Sequence, residues 1–145
     1  MLIQFSVENY RSIKQEQTLS LVRNSGTEMP DNYFDSNAPA TPSLLKSAVI
    51  YGANASGKSN VIKALYSMIQ ILSHSFNKKE KEPIRTEFFL FDETYKNNPT
   101  HYDISFVVDL PNDEGSLQPT RVDYGFIADD KKIHEEWLSV YPKGR

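Results

Sequence analysis

Gly52-Ala53-Asn54-Ala55-Ser56-Gly57-Lys58-Ser59 is the stretch of this 145-residue chain whose residue types and spacing are best suited to chemistry. It satisfies G-x-x-x-x-G-K-[ST], the pattern of a phosphate-binding P-loop, or Walker A motif. In such a loop Gly52 leaves a strand through a tight turn, and residues 53–57 aim successive backbone N–H groups at phosphate oxygens. Gly57 lets the backbone approach the ligand closely. Lys58 is the mobile cation that reaches the β- and γ-phosphates, and so the expected catalytic lysine. The Ser59 hydroxyl is the expected Mg²⁺ ligand. A helix starting here turns its positive end on the same phosphates, with Asn60 in its first turn. ATP and Mg²⁺ are therefore the expected ligands. Ordinary residue frequencies give this pattern about once in two hundred chains of this length, so a chance match is the weaker explanation.

The flanking residues supply what such a loop requires. Ala48–Tyr51 is a short apolar, partly β-branched run, expected as a central strand buried on both faces. Val61, Ile62, Leu65, Met68, Ile69, Leu72 and Phe76 recur at helical spacing and predict one broad apolar stripe from about Lys58 to Ser75. The charged run Asn77–Pro83 is expected to stop that helix. Further on, Phe88-Phe89-Leu90-Phe91-Asp92-Glu93 has the form of a Walker B strand, in which Asp92 would help hold Mg²⁺ and Glu93 would polarise water. The same letters equally describe an ordinary strand running into an acidic turn. His74, His101 and His134 are scattered without partners at ligand spacing, which argues against a metal cluster. Glu135-Glu136-Trp137 reads as the acidic edge of a strand with a buried indole.

The remaining segments form the frame. Leu2–Val7 alternates in the manner of a half-buried strand and Gln17–Val22 looks like its partner, with Tyr10-Arg11-Ser12-Ile13 at the turn between them. Residues 23 to about 42 are polar and rich in Pro, Asn and Asp, which predicts a long surface loop in which Tyr33-Phe34 docks locally. Thr86–Phe91, Tyr102–Leu110, Arg121–Ala128 and Ile133–Tyr141 are rich in β-branched and aromatic residues and predict an antiparallel set. The expected organisation is one partial domain: N-terminal strands over 1–22, a loop over 23–47, the P-loop strand and helix over 48–77, and a β subdomain over 84–141.

Hydrophobic residues make up 39% and charged residues 24% of the chain, the balance of a soluble globular protein. No stretch approaches the roughly 18 apolar residues of a membrane span, and no basic-then-apolar leader opens the sequence. There are no cysteines, hence no disulfide frame and no thiolate metal site, which fits a cytoplasmic setting. The net charge of −3 offers no bulk attraction for nucleic acid.

Tyr10-Arg11-Ser12-Ile13 followed by Val49-Ile50-Tyr51-Gly52-Ala53-Asn54-Ala55-Ser56-Gly57-Lys58-Ser59-Asn60 resembles the ABC-type ATPases of the SMC, RecF and OLD-like group. Within that group it is most similar to bacterial AAA family ATPases with N-termini of the form F-R-S-F … Y-G-x-N-A-S-G-K-S-N. The resemblance implies an α/β P-loop NTPase fold: a mixed sheet containing the P-loop strand, one helix against it and an antiparallel β subdomain. It also implies that Gly52–Ser59 cradle the triphosphate, that Asn60 opens the helix, and that Arg11 matches an N-terminal arginine near the nucleotide. Ala55 stands where many relatives have glycine.

Members of the group hydrolyse ATP between two heads, each offering an L-S-x-G-type signature to the nucleotide held by the other. That signature and a later Walker B glutamate are not seen here, so the chain is expected to be an N-terminal portion of a head. A second head in a homodimer is the expected partner, with an effector protein or nucleic acid beyond it. Three functions are compatible with these residues: such an ATPase head, a nucleotide-sensing module without catalysis, and a compact P-loop NTPase or kinase using Asp92 and Glu93.

Overall fold

The computed structural model describes residues 1–26, 28–75 and 83–142. Its centre is a five-stranded sheet in the order β2-β1-β5-β6-β7, in which every neighbouring pair is antiparallel. The strands are β1 (Leu2–Glu8), β2 (Gln17–Ser20), β5 (Thr100–Pro111), β6 (Leu117–Ala128) and β7 (Ile133–Tyr141). A small hairpin of β3 (Tyr33–Phe34) and β4 (Leu44–Leu45) lies apart from it. Helix α1 spans Lys58–Ser75, and the short α2 spans Glu93–Lys96.

Alternation decides what the sheet buries. In β1, Ile3, Phe5 and Val7 are buried while their neighbours are partly exposed. Register sets Phe5 against Ile104 and Val7 against Tyr102, and Tyr102 in turn against Phe126. These side chains make one layer of a core whose other layer is Ala64, Met68 and Ile71 of α1, flanked by Val61, Leu65 and Leu72. A second, smaller cluster joins Ile3 and Val107 to Ala38 and Leu44, with Val22 and Phe34 packed on it. The stretch around residues 33–45 is thus held down by apolar contact, and the expected local docking of Tyr33-Phe34 takes the form of pairing with Leu44–Leu45.

Where β6 and β7 pair, Gly125 faces Trp137. A methyl group built on Gly125 would lie 2.5 Å from Cε2 of the indole, far inside van der Waals contact. The missing side chain is what lets the ring lie flat on the sheet, edge-on to His101 at 5.2 Å between ring centroids.

Several expectations need correction. Ala48–Tyr51 is not a strand, and Val49 and Tyr51 are 80% and 88% exposed. A β-branched run becomes a strand only with a partner ladder, and β1 already has β2 and β5 on its two sides. Among the described residues the sheet is therefore wholly antiparallel rather than mixed. Thr86–Phe91 is not a strand either: its backbone groups bond to a turn and to a buried amide instead, with Arg11 N–H donating to Glu87 O and Phe89 N–H to Asn9 Oδ1.

The apolar stripe of α1 divides in two. Residues 61, 64, 65, 68, 71 and 72 face the core, whereas Ile62, Tyr66 and Ile69 are exposed. Phe76 and most of the expected stop at Asn77–Pro83 lie outside the described residues.

This division makes a direct prediction. Met68→Ala should lower unfolding stability by about 2–5 kcal/mol, since Met68 is 1% exposed in the core. Ile62→Ala should stay within about 0.5 kcal/mol. Urea unfolding of both variants checks it, and equal losses would show that the stripe is not divided.

Candidate functional site

The segment from Gly52 to Ser59 forms an exposed loop that runs into α1 at Lys58. Two of its residues have left-handed backbone, Ala55 at φ 62° and Gly57 at φ 92°. Gly57 takes this conformation freely, while Ala55 does so against its own Cβ, at roughly 1–2 kcal/mol. Ser56 N–H donates to Ala53 O at 3.3 Å, and Asn60 N–H donates to Gly57 O at 2.8 Å, opening the first turn of the helix. Ser59, in that turn, is exposed.

Lys58 curls back over the loop. Its ammonium donates to Gly52 O at 2.8 Å and to Ala53 O at 2.6 Å, with Ser56 Oγ at 3.5 Å. A side chain on Gly52 would press on this arrangement, its Cβ falling 3.2 Å from Ser56 Oγ. The cation is thus parked on carbonyls of the same loop whose N–H groups would face an anion. Beside the loop lies a cleft of about 640 Å³ lined by Ser12, Lys14, Gln17, Tyr51, Ser56 and Lys58 among others, within the size range of small-ligand sites.

The far wall of the cleft is the β1–β2 turn. Tyr10 and Ile13 exchange backbone hydrogen bonds at 2.9 and 2.8 Å, with Arg11 and Ser12 between them and Arg11 at φ 51°. Ser12 Oγ accepts from Asn60 Nδ2 at 2.7 Å, and Tyr10 OH donates to Lys63 O at 3.3 Å. The turn is therefore fastened to the first turns of α1. On its other side Arg11 Nη2 meets Glu87 Oε1 at 2.5 Å, and Lys14 Nζ meets Asp92 Oδ2 at 2.7 Å. Arg11, the expected nucleotide neighbour, does not line the cleft; its guanidinium is engaged by Glu87, and that hydrogen bond raises its pKa further.

Asp92 and Glu93 do not form a Walker B strand. Asp92 caps α2, accepting from Thr94 N–H at 3.0 Å, and Glu93 pairs with Lys96. With Phe88–Asp92 outside any sheet, the compact-enzyme reading loses the strand it depends on. Lys14, and behind it Thr94, hold the Asp92 carboxyl down at about 2. The histidines stay apart, His101 near Asp103 and His134 near Asp129, and no cluster of three metal-ligating side chains occurs among the described residues. Glu136 accepts from Tyr124 OH at 2.6 Å at the sheet edge.

Sequence reading missed Ser12 as a partner of the loop, and it missed Asn9. The only signal available was an Asn directly after an alternating strand, a turn preference with no chemistry attached.

A family model described as "AAA domain, putative AbiEii toxin, Type IV TA system" matches residues 47–145, more than half of the chain and including the whole loop. No curated protein and no solved structure matches the chain. Among the described residues no helix is long and apolar enough to cross a membrane.

The Lys14–Asp92 contact predicts a pH signature. A carboxyl held near 2 in the fold and ordinarily at 3.8 lends stability that is complete above about pH 4 and is lost as pH falls through 2. Thermal unfolding midpoints of the chain and of Asp92→Asn should therefore differ at pH 6 and converge near pH 2. A gap of constant size would rule the contact out as its source.

Proposed function

The chain belongs to this family of AAA domains, and we propose that it binds ATP with Mg²⁺ through Gly52–Ser59, as the N-terminal part of an ABC-type ATPase head. The observation that carries this reading is the loop itself: G-x-x-x-x-G-K-S folded at the mouth of an 18-residue helix, with Lys58 resting on the carbonyls of Gly52 and Ala53.

Binding is then an exchange. Triphosphate oxygens draw Lys58 off the two carbonyls and take backbone N–H groups of residues 53–57, with Ser56 N–H giving up Ala53 O, while the positive end of α1 faces the same charge. Asn60 holds the first helical turn. Mg²⁺, when bound, neutralises phosphate charge. On the protein side its ligand is the Ser59 hydroxyl, a hard oxygen donor of the kind this ion takes alongside phosphate and water. Arg11 contributes if it leaves Glu87 for the nucleotide, which would also free the carboxylate.

The finer reading places the chain in the SMC, RecF and OLD-like group. There two heads of a homodimer close on ATP, Lys58 acts as the catalytic lysine, and hydrolysis resets an effector or a nucleic-acid partner in the cytoplasm. A toxin–antitoxin or anti-phage task fits the family's description. The carboxylates that contact the turn, Glu87 and Asp92, are already in ion pairs, which favours binding without turnover by this chain alone.

Calorimetric binding of ATP and ADP with Mg²⁺, run beside a phosphate-release assay, tests the reading. Lys58→Ala should weaken ATP binding by about ten- to a hundredfold, as loss of a charge-assisted hydrogen bond does, and phosphate release should stay at background. Unchanged affinity in the variant would remove the P-loop reading. Lys58-dependent turnover by the chain alone would return Asp92 and Glu93 to consideration.

A further inference from the structure

We infer that Ser12 is a positioning residue for the nucleotide site, setting its affinity through Asn60 and Gly57. The inference rests on the ATP-binding reading above.

Within the loop, Lys58 bonds the carbonyls of Gly52 and Ala53, and Ser56 N–H bonds Ala53 O. Residues 52–56 are exposed, and Ala55 sits in a conformation its side chain opposes. Further support comes from outside, from the β1–β2 turn. Ser12 Oγ accepts the Asn60 amide at 2.7 Å, and it lies 3.2 Å from where a Cβ on Gly57 would stand. One hydroxyl therefore bonds Asn60 and occupies the space beside Gly57, at the junction of loop and helix where Asn60 N–H also bonds Gly57 O. The contact fixes the plane of the Asn60 amide and closes the side toward which Gly57, the most permissive residue of the loop, would otherwise swing.

The turn can act as a brace because it is itself held. Asn9 N–H bonds Lys14 O across its base, Tyr10 OH reaches Lys63 O, and Arg11 and Lys14 are tied to Glu87 and Asp92. A hydroxyl carried on such a turn returns to one place. Preorganisation of this kind appears in affinity, because the ligand no longer has to order the loop that binds it.

The test is a double-mutant cycle on Mg²⁺-ATP affinity with Ser12→Ala, Asn60→Ala and the pair, together with Ser12→Thr, which keeps a hydroxyl. Ser12→Ala and Asn60→Ala should each weaken binding by about tenfold, and the pair should be no weaker than either alone. Ser12→Thr should restore most of the loss, and all thermal midpoints should stay within about 2 °C because Ser12 is at the surface. Wild-type affinity in Ser12→Ala, or losses that multiply in the pair, would overturn the inference while leaving ATP binding intact. If the unaltered chain binds no ATP, the reading beneath it fails and this inference with it.

Discussion

The buried amide of Asn9 holds the site's scaffold together. Asn9 is 1% exposed at the end of β1, with φ 55°. Its Nδ2 donates to Tyr95 O at 2.9 Å and Asn98 O at 2.7 Å, with Pro99 O at 3.3 Å, and its Oδ1 accepts from Phe89 N–H. Its own carbonyl accepts from Thr100 Oγ1. One side chain thereby satisfies backbone groups of a segment that has no sheet to satisfy them. Asparagine suits the position twice over, tolerating left-handed backbone and offering donors and an acceptor on one small group. An aspartate would meet the three carbonyls without donors, and an alanine would remove the donor to Asn98 O and Pro99 O and the acceptor for Phe89 N–H, while Tyr95 O keeps its bond from Asn98 N–H.

Much else follows from that constraint. Because Asn9 fixes both the start of the turn and the strand-like stretch at 86–91, Glu87 and Asp92 are delivered to Arg11 and Lys14. The ion pairs are exposed and individually weak, so they trim the geometry rather than create it. The sheet beneath is rigid for a different reason: Phe5, Tyr102 and Phe126 are fully buried in a continuous layer against α1. The loop at 52–57 is thus mounted on two supports, the helix and the turn, and is itself exposed over 52–56.

This division also separates what the sequence makes legible from what it does not. Patterns that repeat along the chain were readable: the alternation of β1, the aromatic runs of β5, β6 and β7, and the helical spacing from Lys58 to Ser75 all appear where expected. Met68→Ala and Ile62→Ala probe the point at which that pattern fell short, since one stripe in the letters is two faces in space. The motif at 52–59 stood out in the letters because its spacing is of the kind phosphate chemistry fixes, and the family match covers it. Ala48–Tyr51 and Thr86–Phe91 were misread as strands because propensity names a preference and not a partner. The roles of Asn9 and Ser12 were not legible, since each acts on residues about fifty to ninety positions away and no local spacing encodes that.

The bonds inside the loop bear on how it would meet a ligand. Lys58 already holds two good acceptors, so a phosphate gains only the difference between those bonds and its own. That difference is favourable because the incoming oxygens carry full charge and the carbonyls do not. Moving Lys58 would also release the carbonyls of Gly52 and Ala53. An anion, if bound there, would exchange the loop's bonds to its own cation for bonds from its own N–H groups. Ser12 stands beside that exchange, where the loop enters α1.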